Sequence, residues 1–198
     1  MDEPTIRTPV AALRELQQAL IPGAGEGDRL ELVVRTDGRD LPLRDLAAYL
    51  QLADNVYGRL QPQGLRSYAL RPRDHLRVEE VRAGSLELVI AEVAQAAPPI
   101  AIVWLGLKYL PPALESLAGA YDSAQQGLLA KANRERIRRQ MDRDPQMEAL
   151  SPGHRDELAT LVDDVLQKDR ALVPKAFRFS EQHVRDVELR VEKRDGEG

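Results

Sequence analysis

Residues Leu76–Ile90 read LRVEEVRAGSLELVI, and this stretch decides the fold. Leu76 and Val78 alternate with charged neighbours, and Leu86, Leu88 and Ile90 alternate beyond Ala83-Gly84-Ser85. Period-two alternation on both sides of a short, small-residue connection is the pattern of a β-hairpin with one face turned inward. Gly84 supplies the positive φ that so tight a connection needs. Upstream, Leu30–Arg35 (LELVVR) is a short apolar run closed by Asp37-Gly38, which reads as another strand. Downstream, Phe177–Val191 contains FRF and then VELRV, a last strand with Val187, Leu189 and Val191 on one face.

Helical patterns fill the spaces between these runs. Thr8-Pro9 opens a first helix carrying Val10, Leu13, Leu16 and Leu20, and Pro22-Gly23 ends it. Leu41–Leu60 is the clearest helix, with Leu43, Leu46, Ala47, Leu50, Ala53, Asn55-Val56 and Leu60 on its expected apolar stripe and Tyr49 and Tyr57 beside it. After the hairpin come an apolar stretch between Pro98-Pro99 and Pro111-Pro112, a long helix over 113–143, and a helix from Ser151-Pro152 that Pro174 closes. This order predicts an α+β fold: a small antiparallel, ferredoxin-like sheet (β-α-β-β-[helical insertion]-β) with helices packed on one face. The expected organisation is an N-terminal helix and linker over 1–28 and a single α+β domain over 29–191, with the insertion at about 96–174. A polar tail over 192–198 completes it.

Composition narrows the function. The 198 residues are 43% hydrophobic but only 4% aromatic, so the core must be built from Leu, Val, Ile and Ala. A net charge of -4 argues against nucleic acid as the main partner. Cysteine is absent, which removes disulfides, thiolate metal sites and a cysteine nucleophile together. It also suits a reducing cytoplasm, and the acidic MDEPTIRTP lacks the apolar core of a signal peptide.

No catalytic constellation emerges. His75, His154 and His183 fall in separate elements without zinc spacing. No GxSxG elbow is present. Gly23-Ala24-Gly25-Glu26-Gly27 has neither a preceding strand nor a following GK[ST], and reads as a linker. Asp163 and Asp164 project about 100° apart on one helix and do not converge on a metal. The reading is a non-enzyme with no catalytic, cofactor or metal residues.

Two stretches remain as interaction candidates. No charge occurs from Val93 to Leu107, too short for a membrane span of roughly 20 residues. Within it Ile100, Val103, Trp104 and Leu107 share one helical face, while Ile102, Leu105 and Tyr109 make the opposite side apolar too. A helix apolar all round must be buried on all sides or meet lipid or another chain. These four residues are therefore the candidate interaction surface, and a homo-oligomer is expected. The other stretch is KANRERIRRQMDR, Lys131–Arg143, where Arg134, Arg138 and Arg139 are candidate contacts to an anion or an anionic lipid headgroup.

LELVV at Leu30, the helix LRDLAAYLQLADNVYGRL and the hairpin VEEVRAGSLELVI together resemble a set of small bacterial proteins found beside conflict and antiphage systems. Some of that set are similar to bacterial domains compared with the N-terminal α/β adaptor domain of death-receptor signalling. The resemblance covers about Leu30–Tyr109 and implies no catalytic residues. It implies a cytoplasmic adaptor or accessory module of antiviral defence, acting by self-association or by docking a protein partner. The alternative is a membrane-associating effector, in which 96–117 inserts and the basic helix 131–143 meets anionic lipid.

Overall fold

A computed structural model describes residues 9–22, 29–37, 40–60, 78–82, 87–93, 97–110 and 123–192. The order of elements is α1 (Val10–Leu20), β1 (Arg29–Thr36), α2 (Leu43–Leu60), β2 (Val78–Arg82), β3 (Glu87–Val93) and α3 (Ala97–Lys108). There follow α4 (Ser123–Arg143), a 3₁₀ turn (Pro145–Met147), α5 (Pro152–Gln167), α6 (Val173–His183) and β4 (Val184–Glu192). The protein is α+β. The Ala83-Gly84-Ser85 connection, Pro111-Pro112 and the 193–198 tail lie outside the described residues, as do Gly23–Gly27 and His75.

The four strands form one antiparallel sheet in the order β2-β3-β1-β4. The alternation read in LELVVR is realised across the β1–β4 pair. Leu30, Leu32 and Val34 stand opposite Val191, Leu189 and Val187 and face the core. On the other face Arg35 reaches Asp186 at 3.4 Å and Glu188 at 3.0 Å, and Arg190 reaches Glu188 at 3.0 Å. The opposite charges of Arg35 and the two β4 carboxylates, on neighbouring strands, support this register.

At the centre of the molecule lies α3. Pro98 and Pro99 open it rather than break it, because the first turn of a helix has no intrahelical acceptors for their missing N–H groups. Ile100, Ala101, Ile102, Val103, Trp104, Leu105 and Leu107 are each at most 2% exposed. The sheet covers one side of α3 through β1, β3 and β4, and α1, α2 and α5 cover the others. Burial by one chain thus satisfies the all-round apolar helix.

Two local expectations are corrected. On α2 the buried stripe is Tyr49, Leu52, Ala53 and Val56, whereas Leu46 and Leu50 are half-buried, Ala47 is exposed and Leu43 is 79% exposed. Packing against both α3 and α6 sets this phase, with the Tyr49 ring 5.3 Å from that of Phe179. Second, Pro174 belongs to the first turn of α6, so Phe177 and Phe179 lie on a helix and the strand starts only at Val184. In α1, Ala12, Leu13 and Leu16 join the single core cluster against α3 and α5.

Candidate functional site

The structure places all four residues of the expected interaction surface, Ile100, Val103, Trp104 and Leu107, in the interior. Trp104 is anchored there: its indole N–H donates to the carbonyl oxygen of Val187 at 2.8 Å, tying α3 to β4. Buried indoles need such a partner. The argument for self-association from an uncovered side of this helix has no footing in this arrangement. Likewise no exposed apolar face of 100–110 is left to meet lipid, and no helix among the described residues is long and apolar enough to cross a membrane.

Two of the six cations of the basic helix, Arg134 and Arg138, are paired with carboxylates of its neighbour α5. Arg134 donates to Asp163 at 2.9 Å and to Asp164 at 2.8 Å. Arg138 lies 3.0 Å from Asp156 and 3.8 Å from Asp142, and Arg155 lies 3.2 Å from Asp142. Partners descend along α5 as positions ascend along α4, which makes the two helices an antiparallel pair. Buried Ile137 and Met141 form the seam beneath these charges. Arg139 stands apart, 73% exposed and only 3.7 Å from Glu135 one turn back, a spacing worth little in water. Of the three candidate anion contacts, two are therefore engaged with carboxylates of α5 and one faces solvent.

Asp163 shows what that pairing does. Its burial pushes the carboxyl above the ordinary aspartate value, against the hydrogen bonds from Gln167 and Arg134. The two adjacent aspartates form an arginine clamp, with Asp163 buried and Asp164 half-exposed. Immediately before Arg134, Asn133 is fully buried and its amide has no hydrogen-bond partner. Such a group costs stability where it sits.

Three polar clusters escaped the sequence reading. At the end of α3, the Tyr109 hydroxyl donates to Asp144 at 2.6 Å and the Lys108 ammonium reaches the same carboxylate at 2.5 Å. Lys108 also donates to Gln146 and stands 4.7 Å from the centre of the Trp104 ring. Burial, then the bond to Asp144 and its charge, push the Tyr109 phenol well up. Burial would raise Asp144 too, but the hydrogen bonds from Lys108, Tyr109 and the Gln146 backbone N–H outweigh it and hold the carboxyl below its usual range. With its lone pairs occupied, Asp144 is a structural latch between α3 and the 3₁₀ turn rather than a poised base.

The second cluster joins Asn55 and Arg59 of α2 to Asp169, between α5 and α6; Asn55 donates at 2.9 Å and the Arg59 guanidinium pairs with both carboxylate oxygens. The third sets His183 Nδ1 3.5 Å from Asp37 Oδ1, close but not aligned as a hydrogen bond. A histidine beside a carboxylate is the orienting half of a nucleophilic relay. His183 instead stacks on Phe179 at 5.5 Å, and its carbonyl accepts from the Asp37 N–H at 3.0 Å, so the pair closes the α6–β4 corner onto the end of β1. Only the Asp144-Pro145 helix stop gave a sequence signal for any of these groups; residues over a hundred positions apart carry none. Among the described residues no three His, Asp or Glu side chains converge to hold a metal.

What the arrangement leaves open is an edge. Among the described residues β4 has a strand neighbour only on its β1 side. It is nine residues long, contains no proline, and turns Val187, Leu189 and Val191 inward with no charge among them. Comparison of the chain with family models, with curated proteins and with solved structures found no match in any of the three.

Proposed function

We propose that the protein is a non-enzymatic adaptor or accessory module that docks a protein partner by adding a strand to the β4 edge. The observation that carries this reading is the one-sided pairing of β4 among the described residues. A row of unpaired backbone groups is a template for another strand, and β-addition is a common route to peptide and domain recognition. Of the other candidate surfaces, α3 is spent on the core, and Arg134 and Arg138 of the basic helix are paired with α5. The strand order β2-β3-β1-β4 with antiparallel neighbours supports the ferredoxin-like arrangement, with α2 as the first crossover and α3–α6 in place of the second helix. The setting, a bacterial conflict or antiphage system in the cytoplasm, rests on the resemblance of LELVV, the α2 sequence and VEEVRAGSLELVI.

Vesicle flotation tests the adaptor against the membrane effector. The adaptor stays in the dense fraction with anionic vesicles at physiological salt. Flotation that is lost in Trp104→Asp or Ile102→Asp, with the folded state retained, would overturn the reading in favour of an effector that exposes α3.

A further inference from the structure

The two sheet edges differ. β2 has five residues and a register shift between Val78 and Glu80. Short strands and bulges are the usual means of blunting an edge. Over Asp186–Glu192, β4 has neither: its register against β1 is unbroken, and the one irregularity falls earlier, between Arg35 and Thr36 of the partner strand. Its core-facing row is apolar and not fully covered, since Val187 and Leu189 keep slight exposure and Val191 is half-buried. Its outer row is charged, with Asp186, Glu188 and Arg190 in sequence.

We infer that the strand added to β4 is the β4 of a second copy of this chain, paired antiparallel about a two-fold axis at Leu189 to make one continuous sheet. This deepens the adaptor reading and rests on its assignment of the edge as the docking surface. The charges choose the register. Directly opposed residues share a face of a sheet, so the axis must pass through a residue position rather than between two. Centring on Val187 opposes Asp186 to Glu188, centring on Glu188 opposes that residue to itself, and centring on Arg190 does the same for the arginine; centring on Val191 opposes Arg190 to Glu192 but pairs only Arg190–Glu192 of the strand. Like charges directly opposed are unfavourable.

Centring on Leu189 opposes Glu188 to Arg190 of the second copy, and symmetry makes that pair twice. On the core side Leu189 meets its own counterpart and Val187 meets Val191. The remaining like pair, Asp186 with Glu192, falls at the two ends of the ladder, where Arg35 already holds Asp186 at 3.4 Å. The interface is isologous and closed, so it yields a dimer and not a fibre.

The test is light scattering on the full chain across a micromolar dilution series. Wild type should scatter at twice the chain mass and fall toward it on dilution. Glu188→Arg gives a chain with arginine at both positions, and Arg190→Glu gives one with glutamate at both. Each alone should be monomeric, and their equimolar mixture should recover the dimer. A wild type that stays monomeric throughout overturns the proposal, as do single variants that remain dimeric or a folded mixture that stays monomeric.

Hydrogen exchange on wild type needs no variant. The β4 amides pointing away from β1 should lose protection on dilution, and protection independent of concentration would contradict the pairing. A monomer that ignores vesicles sinks self-pairing alone and leaves the edge to another protein. Flotation sinks the adaptor reading whatever the mass.

Discussion

At the scale of single residues, stability is concentrated where buried polar atoms find partners. Trp104 gives its N–H to Val187, and Asp144 gathers Lys108, Tyr109 and the Gln146 N–H. The depressed Asp144 carboxyl has a pH consequence. A folded-state value below 3.8 means that the native protein releases this proton more readily than the unfolded chain. Its contribution is therefore present above the unfolded value and lost as pH falls through the folded one. Asp144→Asn should flatten the acid limb of the stability profile, so wild type loses more melting temperature than the variant between neutral pH and about pH 3. Equal losses in parallel thermal melts would contradict the latch. Gly106 makes a prediction of the opposite sign. It lies inside α3, and a Cβ added there meets only Leu166 Cδ2 at 3.9 Å, an ordinary contact. Gly106→Ala should stabilise the protein by about 0.5–1 kcal/mol, because alanine has less backbone freedom to lose. A destabilised variant in urea titration would show that α3 and α5 approach more closely than this.

At the scale of elements, the clearest test lies on α2. Leu52→Ala should cost about 2–5 kcal/mol as a full core truncation, while Leu43→Ala should fall within about 0.5 kcal/mol of wild type. A reversal in urea titration would mean that the helix presents its other face to the core. This is also where the sequence was only half legible. The 3.6-residue pattern located α2 and its ends, but leucines occur at 41, 43, 46, 50, 52 and 60, and they do not choose one stripe. Tyr49 and Leu52, both fully buried, mark the true phase, and the facing α6 explains it. The alternation in β4 was legible because charge and apolarity separate cleanly there, and β1 follows it apart from the buried Val33 on its charged face. Pro174 was misread for a physical reason: proline is equally at home after one helix and in the first turn of the next. Of the candidate site, the burden on α3 was visible as an all-apolar helix, but which surfaces would cover it was not. The salt bridges that occupy the basic helix depend on α5 lying antiparallel to it, a tertiary fact with no local signal.

At the scale of the whole molecule, one apolar helix organises everything else. The sheet, α1, α2 and α5 each give their inner face to α3, and α6 and α4 close the outside against α2 and α5. The N-terminal helix and the helices between β3 and β4 share a single core with the sheet, so neither is an accessory that the sheet could shed. A 198-residue chain with so few aromatics reaches this by surrounding its sole tryptophan completely. The proposed docking function thus rests on the β4 edge, which among the described residues has a strand neighbour on one side only, and not on the segment with the most interactive sequence. The central claim is that the stretch Ile100–Leu107 is the interior of one chain, and the tryptophan reports on it directly. Acrylamide quenching of Trp104 fluorescence, repeated over dilution and with anionic vesicles present, should give a blue-shifted emission and a quenching constant far below that of free tryptophan, unchanged in every condition. Quenching that rises on dilution, or emission that shifts when vesicles are added, would contradict the account and return that helix to a partner or a membrane.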